Sequence, residues 1–470
     1  MGRFDVKSEY QGRWWILDKP EHKVHGILKL NKYQLATLEL NGSLKIEGEE
    51  KPGVIIGEAP DGTTFTLVDI LPAHAGMTQQ VSDGFIKSET RRIQTIFVNG
   101  RWDEREKIGF QHLQIRFRDL ETWSGYDPFR WDSDDGFKER SLQIKPWKVL
   151  TLFQDDCVTI DLENGTSEFS SWGAKDTIKL ERVTWISIKA RNEQPYEFFH
   201  PYIGTIQSFL CFCLGIAVYP ETITGYSSTH ILPKNFTSDP IHFPITICTT
   251  AFRRYKADRL PENRWVRPPL PYEDLEGQTQ KVIERWMTLE KQFKIPWMLF
   301  LSTLFAPEMY LEQTFLTRAQ CIEIYHRNSG NYTQTLHDPD VFTKRLEAAK
   351  QALIQSGLNT KVRHEFVRKI KNGNIPSFGD RIDQILKKHI PLSYCITRPL
   401  PTFAETVVSN RNYLTHYGEK EFTPATPNEL TELTENLGRL FYLCLLDELE
   451  LDRKLVEKVF NELKIGDLPM

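Results

Sequence analysis

Apart from one helical segment around 195–220, the hydrophobic period of this chain changes for good near residue 270, and that change limits the architectures open to it. Up to about residue 265, apolar side chains alternate with polar ones or fall in short β-branched runs. From about 275 onward they recur every three to four residues. Between the two lies Arg264-Trp-Val-Arg-Pro-Pro-Leu-Pro-Tyr272, whose prolines suit neither pattern and mark a linker. A strand face and a helical stripe each need a partner of their own kind. The chain therefore predicts an α+β protein, with a β-rich, sandwich-like domain over 1–270 and an all-α helical bundle over 275–470.

Local signals agree with that division. Asn41-Gly42, Asp61-Gly62, Asn99-Gly100 and Asn164-Gly165 are dipeptides that supply the positive φ angles of two-residue hairpin turns. Leu113, Ile115 and Phe117 alternate with Gln114, Arg116 and Arg118, as in a half-buried strand. Residues 54–70 read as strand, turn, strand. Nine of the eleven tryptophans lie between Trp14 and Trp265. They either fill a β core or form an aromatic platform for sugars or bases. In the second half, Val282, Trp286, Leu289 and Phe293 make one stripe, and Leu311, Phe315, Ala319 and Ile322 a second. Phe342, Leu346, Ala349 and Leu353 make a third, which Gly357 ends. A capping box, Thr426-Pro-Asn-Glu429, opens a Leu-rich last long helix.

Composition narrows the function classes. The net charge of −4 over 470 residues leaves no chain-wide footprint for nucleic acid, so any such surface is local. The seven cysteines are scattered without zinc spacing, which fits reduced thiols in a cytoplasmic protein. The N-terminal stretch lacks an apolar core of the secretory type, so no leader is expected. The most apolar run, Phe209 to Tyr219, is too short to span a bilayer, and no membrane association is expected. No P-loop, nucleophile elbow or dinucleotide fingerprint is present. His364-Glu365 begins like a zinc-protease helix, but Arg368 stands where the second histidine belongs.

One helix carries a chemical constellation. It starts at Thr402-x-x-Glu405, a further capping box, and stops at Gly418. Near its end stands Arg411-Asn412-Tyr413-Leu414-Thr415-His416. At about 100° per residue, Asn412 and His416 lie some 40° apart, and Arg411 flanks them at about 140° from His416. A fixed cation, an amide and an imidazole on one helix suit RNA cleavage by the substrate's own 2′-hydroxyl, with neither metal nor cofactor. DNA, lacking that hydroxyl, would be spared. The bland alternative is a solvated Arg and a His whose charge complements the helix C-terminus.

The segment Val407-Val-Ser-Asn-Arg-Asn-Tyr-Leu-Thr-His-Tyr-Gly418 resembles the HEPN signature, Arg-x-x-x-x-His with a polar residue directly after the Arg. The chain as a whole resembles the ApeA family of abortive-infection HEPN proteins. Leu316 to Arg327 is similar to that family's upstream helix, which carries a Glu where Glu323 stands. Ser377 to Leu386 is similar to the helix preceding the catalytic one. Gly12-Arg-Trp-Trp15 and Phe117-Arg-Asp-Leu-Glu-Thr-Trp123 resemble the ApeA N-terminal domain. The resemblance implies an antiphage endoribonuclease that works as a homodimer or higher homo-oligomer. Two motif helices would build one composite site, and RNA would be the substrate. It assigns Arg411, Asn412 and His416 to catalysis, gives Glu323 a supporting role, and leaves the β-rich half to sense a trigger, for instance a phage component. Some HEPN domains are instead non-catalytic dimerisation modules, and the β-rich half could then bind a ligand or act as a lectin-like sensor.

A last segment, Lys361-Val-Arg-His-Glu-Phe-Val-Arg-Lys-Ile-Lys371, is a basic amphipathic helix. Arg363, Arg368, Lys369 and Lys371 either contact an RNA backbone or form a solvated face.

Overall fold

The computed structural model describes residues 7–30, 35–44, 53–71, 74–80, 84–133, 140–170, 178–231, 242–252, 267–306, 308–397, 402–416 and 423–462. The chain forms two compact units, 1–284 and 285–470.

The first unit is β-rich, as its alternating pattern requires. Its opening strands are β1 (Glu9–Ile16), β2 (Val24–Lys29), β3 (Ala36–Leu40), β4 (Ile55–Glu58), β5 (Thr64–Ile70), β6 (His74–Gln80) and β7 (Gly84–Val98). Antiparallel pairing runs β1–β2–β3–β7–β5–β4 and returns to β1, so these six strands close on themselves. Closure satisfies the edges that an open sheet exposes. Trp14, Leu28, Leu38, Phe65 and Leu67 fill the interior. Gly57 has no side chain because the indole of Trp14 occupies that space.

The sheet continues from β7 through a second group of strands. These are β8 (Phe110–Phe117), β11 (Lys148–Gln154), β12 (Val158–Ser170), β13 (Ile178–Gln194), β14 (Pro220–Tyr226) and β15 (Ile245–Thr249). Their order, outward from β7, is β15, β14, β8, β13, β12, β11. All of these strands thus belong to one continuous sheet, with β9 (Phe129–Ser133) and β10 (Arg140–Ile144) as a separate ribbon. Short helices α1 (Leu120–Ser124) and α3 (Tyr272–Leu275) flank the long α2 (Tyr196–Leu214). α2 takes in only the first part of the apolar run noted in the sequence, 209–214, and it buries Phe199, Ile203, Phe209 and Phe212. Leu113, Ile115 and Phe117 are buried on β8 while Gln114 and Arg116 stay half-exposed, as their alternation requires.

The turn dipeptides divide into two kinds. Asp61-Gly62 does join β4 to β5, with Gly62 at φ 85°, and Asn99 has φ 64°. Asn164-Gly165, expected as a turn, instead lies inside β12, paired with Thr184 and Val183 of β13. Gly165 is there for close approach, because the ring of Trp147 covers its Cα. The tryptophans divide too. Trp14, Trp15, Trp102 and Trp123 are core residues, whereas Trp131 and Trp147 are exposed and Trp147 stacks on Trp185. Trp172, Trp265 and the start of the proline-rich linker lie outside the described residues.

Helices make up the second unit. α4 (Thr279–Gln292) straddles the boundary, followed by α5 (Lys294–Phe305), α6 (Leu311–Asn328), α7 (Pro339–Gln355) and α8 (Thr360–Lys371). Then come α9 (Phe378–Lys388), α10 (Tyr394–Thr397), α11 (Phe403–His416), α12 (Pro427–Glu448) and α13 (Arg453–Glu462). The expected stripes are buried: Trp286, Leu289 and Phe293; Phe315, Ala319 and Ile322; Leu430, Leu433, Leu437, Leu440 and Cys444. The capping box at Thr426 and Glu429 is formed in full. α12 packs along α6, and α6, α9 and α11 pack on one another.

The third stripe behaves differently. No residue of α7 or α8 is buried, and the two helices pack on each other. Phe342, Leu346, Ala349 and Leu353 are only half-buried. Asp338 caps α7 by accepting from the Asp340 and Val341 backbone N–H groups. Asn374 ties off the hairpin's base. Its side chain accepts from His337 N at 2.7 Å and donates to His337 O at 3.0 Å.

Candidate active site

The motif helix α11 is seated by Phe403, Ala404, Val407 and Asn410, all buried. Asn410 is the polar member of that face. Its Nδ2 donates to Thr406 O, and its Oδ1 accepts from Ala425 N at 2.9 Å. That second bond fixes where the chain re-enters α12. Gly418, the expected stop, lies outside the described residues, and His416 is the last residue of α11.

Arg411 follows Asn410 and is partly exposed. Its Nη2 donates to Glu323 Oε2 of α6 at 3.4 Å, and its guanidinium lies 5.6 Å from the ring centroid of Phe378, the first residue of α9. The other oxygen, Glu323 Oε1, accepts from Arg327 Nη2 at 2.6 Å. A side chain with this much rotamer freedom is thus held by an aromatic face and a carboxylate from two neighbouring helices. Asn412 is half-buried and His416 is exposed, one helical turn apart on the strip that the 3.6-residue period predicts. So the fold brings Glu323 to Arg411, and the helix brings Asn412 to His416.

Beneath this surface lies a buried network that the sequence reading missed. His326 is fully buried on α6 and stacks on Tyr332, with ring centroids 4.6 Å apart. Arg381 Nη1 is 2.8 Å from His326 Nδ1, and Gln384 Oε1 is 3.1 Å from Nε2. Arginine only donates, so Nδ1 must be the acceptor and Nε2 must carry the proton. Arg381 also donates to Gln334 Oε1 at 3.0 Å. The imidazole is therefore locked neutral, and burial, with the Arg381 charge beside it, holds its pKa below the ordinary value. Only the i, i+4 spacing of Glu323 and Arg327 was visible beforehand. A buried His–Arg pair has no sequence signature.

His389, also buried, has its Nε2 3.3 Å from the hydroxyl of Tyr332, and burial pushes its pKa down to about 4. Both imidazoles are neutral in the folded unit, while the unfolded chain binds protons below about pH 6.5. Folding stability is therefore expected to fall as pH drops from about 6.5 toward 4, with His389 costing on the order of 3 kcal/mol. Denaturant unfolding at pH 7.5 and pH 4.5 checks this, and His389→Gln should flatten the dependence.

The cationic residues of α8 separate by face. Arg368, Lys369 and Lys371 are exposed, together with Lys361. Arg363 instead lies on the packed flank, half-buried, and its Nη2 donates to Thr360 Oγ1 at 3.0 Å. Among the described residues, no helix is long and apolar enough to cross a membrane.

Comparison with known proteins places these features in a family. The family model of ApeA N-terminal domain 1 matches residues 9–286, and that of Apea-like HEPN matches residues 316–455. No curated protein and no solved structure matches the chain. The second match spans α9, α11 and most of α6, the helices that assemble Glu323, Phe378 and Arg411. The chain belongs to the ApeA-like proteins, in which this N-terminal domain precedes a C-terminal HEPN domain.

Proposed function

We propose that this protein is an antiphage, abortive-infection endoribonuclease whose effector is the HEPN unit, 275–470, and whose β-rich region, 1–270, senses the trigger. The observation that carries this reading is Arg411, oriented by Glu323 and Phe378 on a helix that ends in the exposed His416. The substrate's 2′-oxygen attacks the adjacent phosphorus, and the bond from phosphorus to the 5′-oxygen breaks. His416 accepts the 2′-hydroxyl proton, and an acid, the second His416 of a homodimer, protonates the leaving 5′-oxygen. Arg411 binds the non-bridging oxygens, where negative charge builds in the pentacoordinate state. Asn412 orients phosphate or imidazole, and Glu323 keeps Arg411 from swinging away.

This chemistry needs no metal. Incubated with total RNA, the purified protein is expected to cut in EDTA as well as in Mg²⁺, leaving 2′,3′-cyclic phosphate and 5′-hydroxyl ends. Fragments bearing 5′-phosphates, or activity abolished by EDTA, would reject the scheme. For the sensing role, the exposed indoles of Trp131 and Trp147 are the natural contacts for a ligand. The trigger is to be sought by adding phage lysate fractions to the full-length protein and following RNA cleavage.

A further inference from the structure

The feature left unused is the α7–α8 hairpin. It contributes no buried residue, so packing does not account for it. In a chain of net charge −4, its twelve-residue helix α8 carries Lys361, Arg363, Arg368, Lys369 and Lys371 against Glu365 alone. On the 3.6-residue period, Val362, Phe366 and Ile370 share one side. Lys361, Arg368 and Lys371 fall on the opposite side, whereas the exposed Lys369 stands beside Val362 at the edge of the apolar one. α7, by contrast, carries a single excess positive charge: Lys344, Arg345 and Lys350 against Asp340 and Glu347.

The hairpin also emerges at a telling place. It is an excursion between α6 and α9, the two helices that hold Arg411. Lys371 stands three residues before Asn374, the clamp at the base, and Phe378, under the Arg411 guanidinium, stands four residues after it. Four residues span at most about 14 Å. Lys371 and Phe378 are seven residues apart, which keeps the cationic end of α8 within about 25 Å of the ring under the Arg411 guanidinium, and the exposed Arg327 shares Glu323 with Arg411.

We infer that the α7–α8 hairpin is a loading arm for single-stranded RNA, in which Lys361, Arg368, Lys369 and Lys371 bind backbone phosphates and guide the strand to Arg411. The inference rests on the ribonuclease reading for the identity of the polyanion. Charge complementarity argues for RNA over a protein partner, because α8 presents four exposed cations, Lys361, Arg368, Lys369 and Lys371, against the single carboxylate Glu365, beside the exposed apolar side chains of Phe366 on α8 and Val341 and Ile354 on α7. Arm binding is sequence-independent and salt-dependent, since each phosphate contact releases condensed counterions. It also makes the enzyme prefer long strands over a dinucleotide, which cannot reach from the arm to the site.

The test uses full-length protein carrying His416→Ala, so that RNA is bound and not cut, and a labelled single-stranded RNA. Arg368→Glu, Lys369→Glu and Lys371→Glu together should weaken binding at least tenfold. The milder Arg368→Gln, Lys369→Gln, Lys371→Gln form should lower the slope of log affinity against log salt by about 2. Because all three positions are exposed, the melting temperature should hold, and the milder form guards against effects of charge reversal. In the His416 background, the preference of the enzyme for long RNA over a dinucleotide should collapse in both variants. Unchanged affinity and salt slope would overturn the arm. So would variants that bind RNA normally yet lose defence in cells, which would mark a protein-docking surface. If charge loss weakens RNA binding but no form cuts any RNA, the arm stands and the ribonuclease reading fails.

Discussion

Replacing His416 with alanine is expected to lower kcat for RNA cleavage by about 10³-fold, the usual contribution of a positioned general acid or base. The ring is exposed at the end of α11, so its loss removes no packing, and the melting temperature should not move. Arg411→Ala is expected to cost about 10²- to 10³-fold through lost transition-state charge stabilisation. Arg411→Lys should recover only part of this, because an ammonium cannot span two phosphate oxygens while resting on Phe378. Single-turnover cleavage of a defined RNA separates these effects from binding. A His416→Ala protein that cuts at the wild-type rate would remove the imidazole from the mechanism.

The largest effect on folding is expected at Glu448. This carboxylate is buried at the end of α12, where its Oε1 accepts from Tyr325 Oη at 2.9 Å, Asn331 Nδ2 at 2.9 Å and Ser329 Oγ at 3.1 Å. Arg285 Nη2 lies 3.6 Å from Oε2, and its Nε donates to the Glu448 carbonyl at 2.8 Å. One side chain thus fastens the C-terminal end of α6, the helix that carries Glu323. Glu448→Ala would strand two buried donors, Tyr325 Oη and Ser329 Oγ, and leave Arg285 with the exposed Glu450 as its carboxylate partner. We expect it to lower the unfolding free energy by about 3–5 kcal/mol. Glu448→Gln keeps the acceptor oxygen and should cost less. Urea unfolding of the full-length protein, followed by tryptophan fluorescence, measures both.

These two residues show how far the sequence could be read. The position of His416 on α11 was legible because helical geometry is local. A capping pattern, a 3.6-residue period and six residues of motif place an imidazole and an amide on one strip before any tertiary contact is known. Glu448 was not legible. It sits in a Leu-rich helix like any surface carboxylate, and only the arrival of Tyr325 from α6, with Ser329 and Asn331 from the turn after it, gives it a role. The same holds for His326 and Arg381, 55 residues apart, whose pairing depends on α6 meeting α9. In the β-rich unit, alternation correctly marked β8, and Asp61-Gly62 correctly marked a hairpin. Asn164-Gly165 carries the same turn chemistry but lies within a strand, because the ring packed over Gly165 comes from Trp147, in the segment before β11. Closure of six strands into a ring was likewise beyond local pattern, since periodicity gives faces and not partners.

A single atom in the substrate offers the most direct test of the central claim. A defined RNA with one strong cleavage position can be prepared with a 2′-deoxynucleotide immediately 5′ of the scissile phosphate. The wild-type protein is expected to lose the cut at that position alone while cutting elsewhere as before. Undiminished cleavage next to the deoxynucleotide would mean that the nucleophile is not the RNA's own hydroxyl. The roles given to Arg411 and His416 would then fall with it.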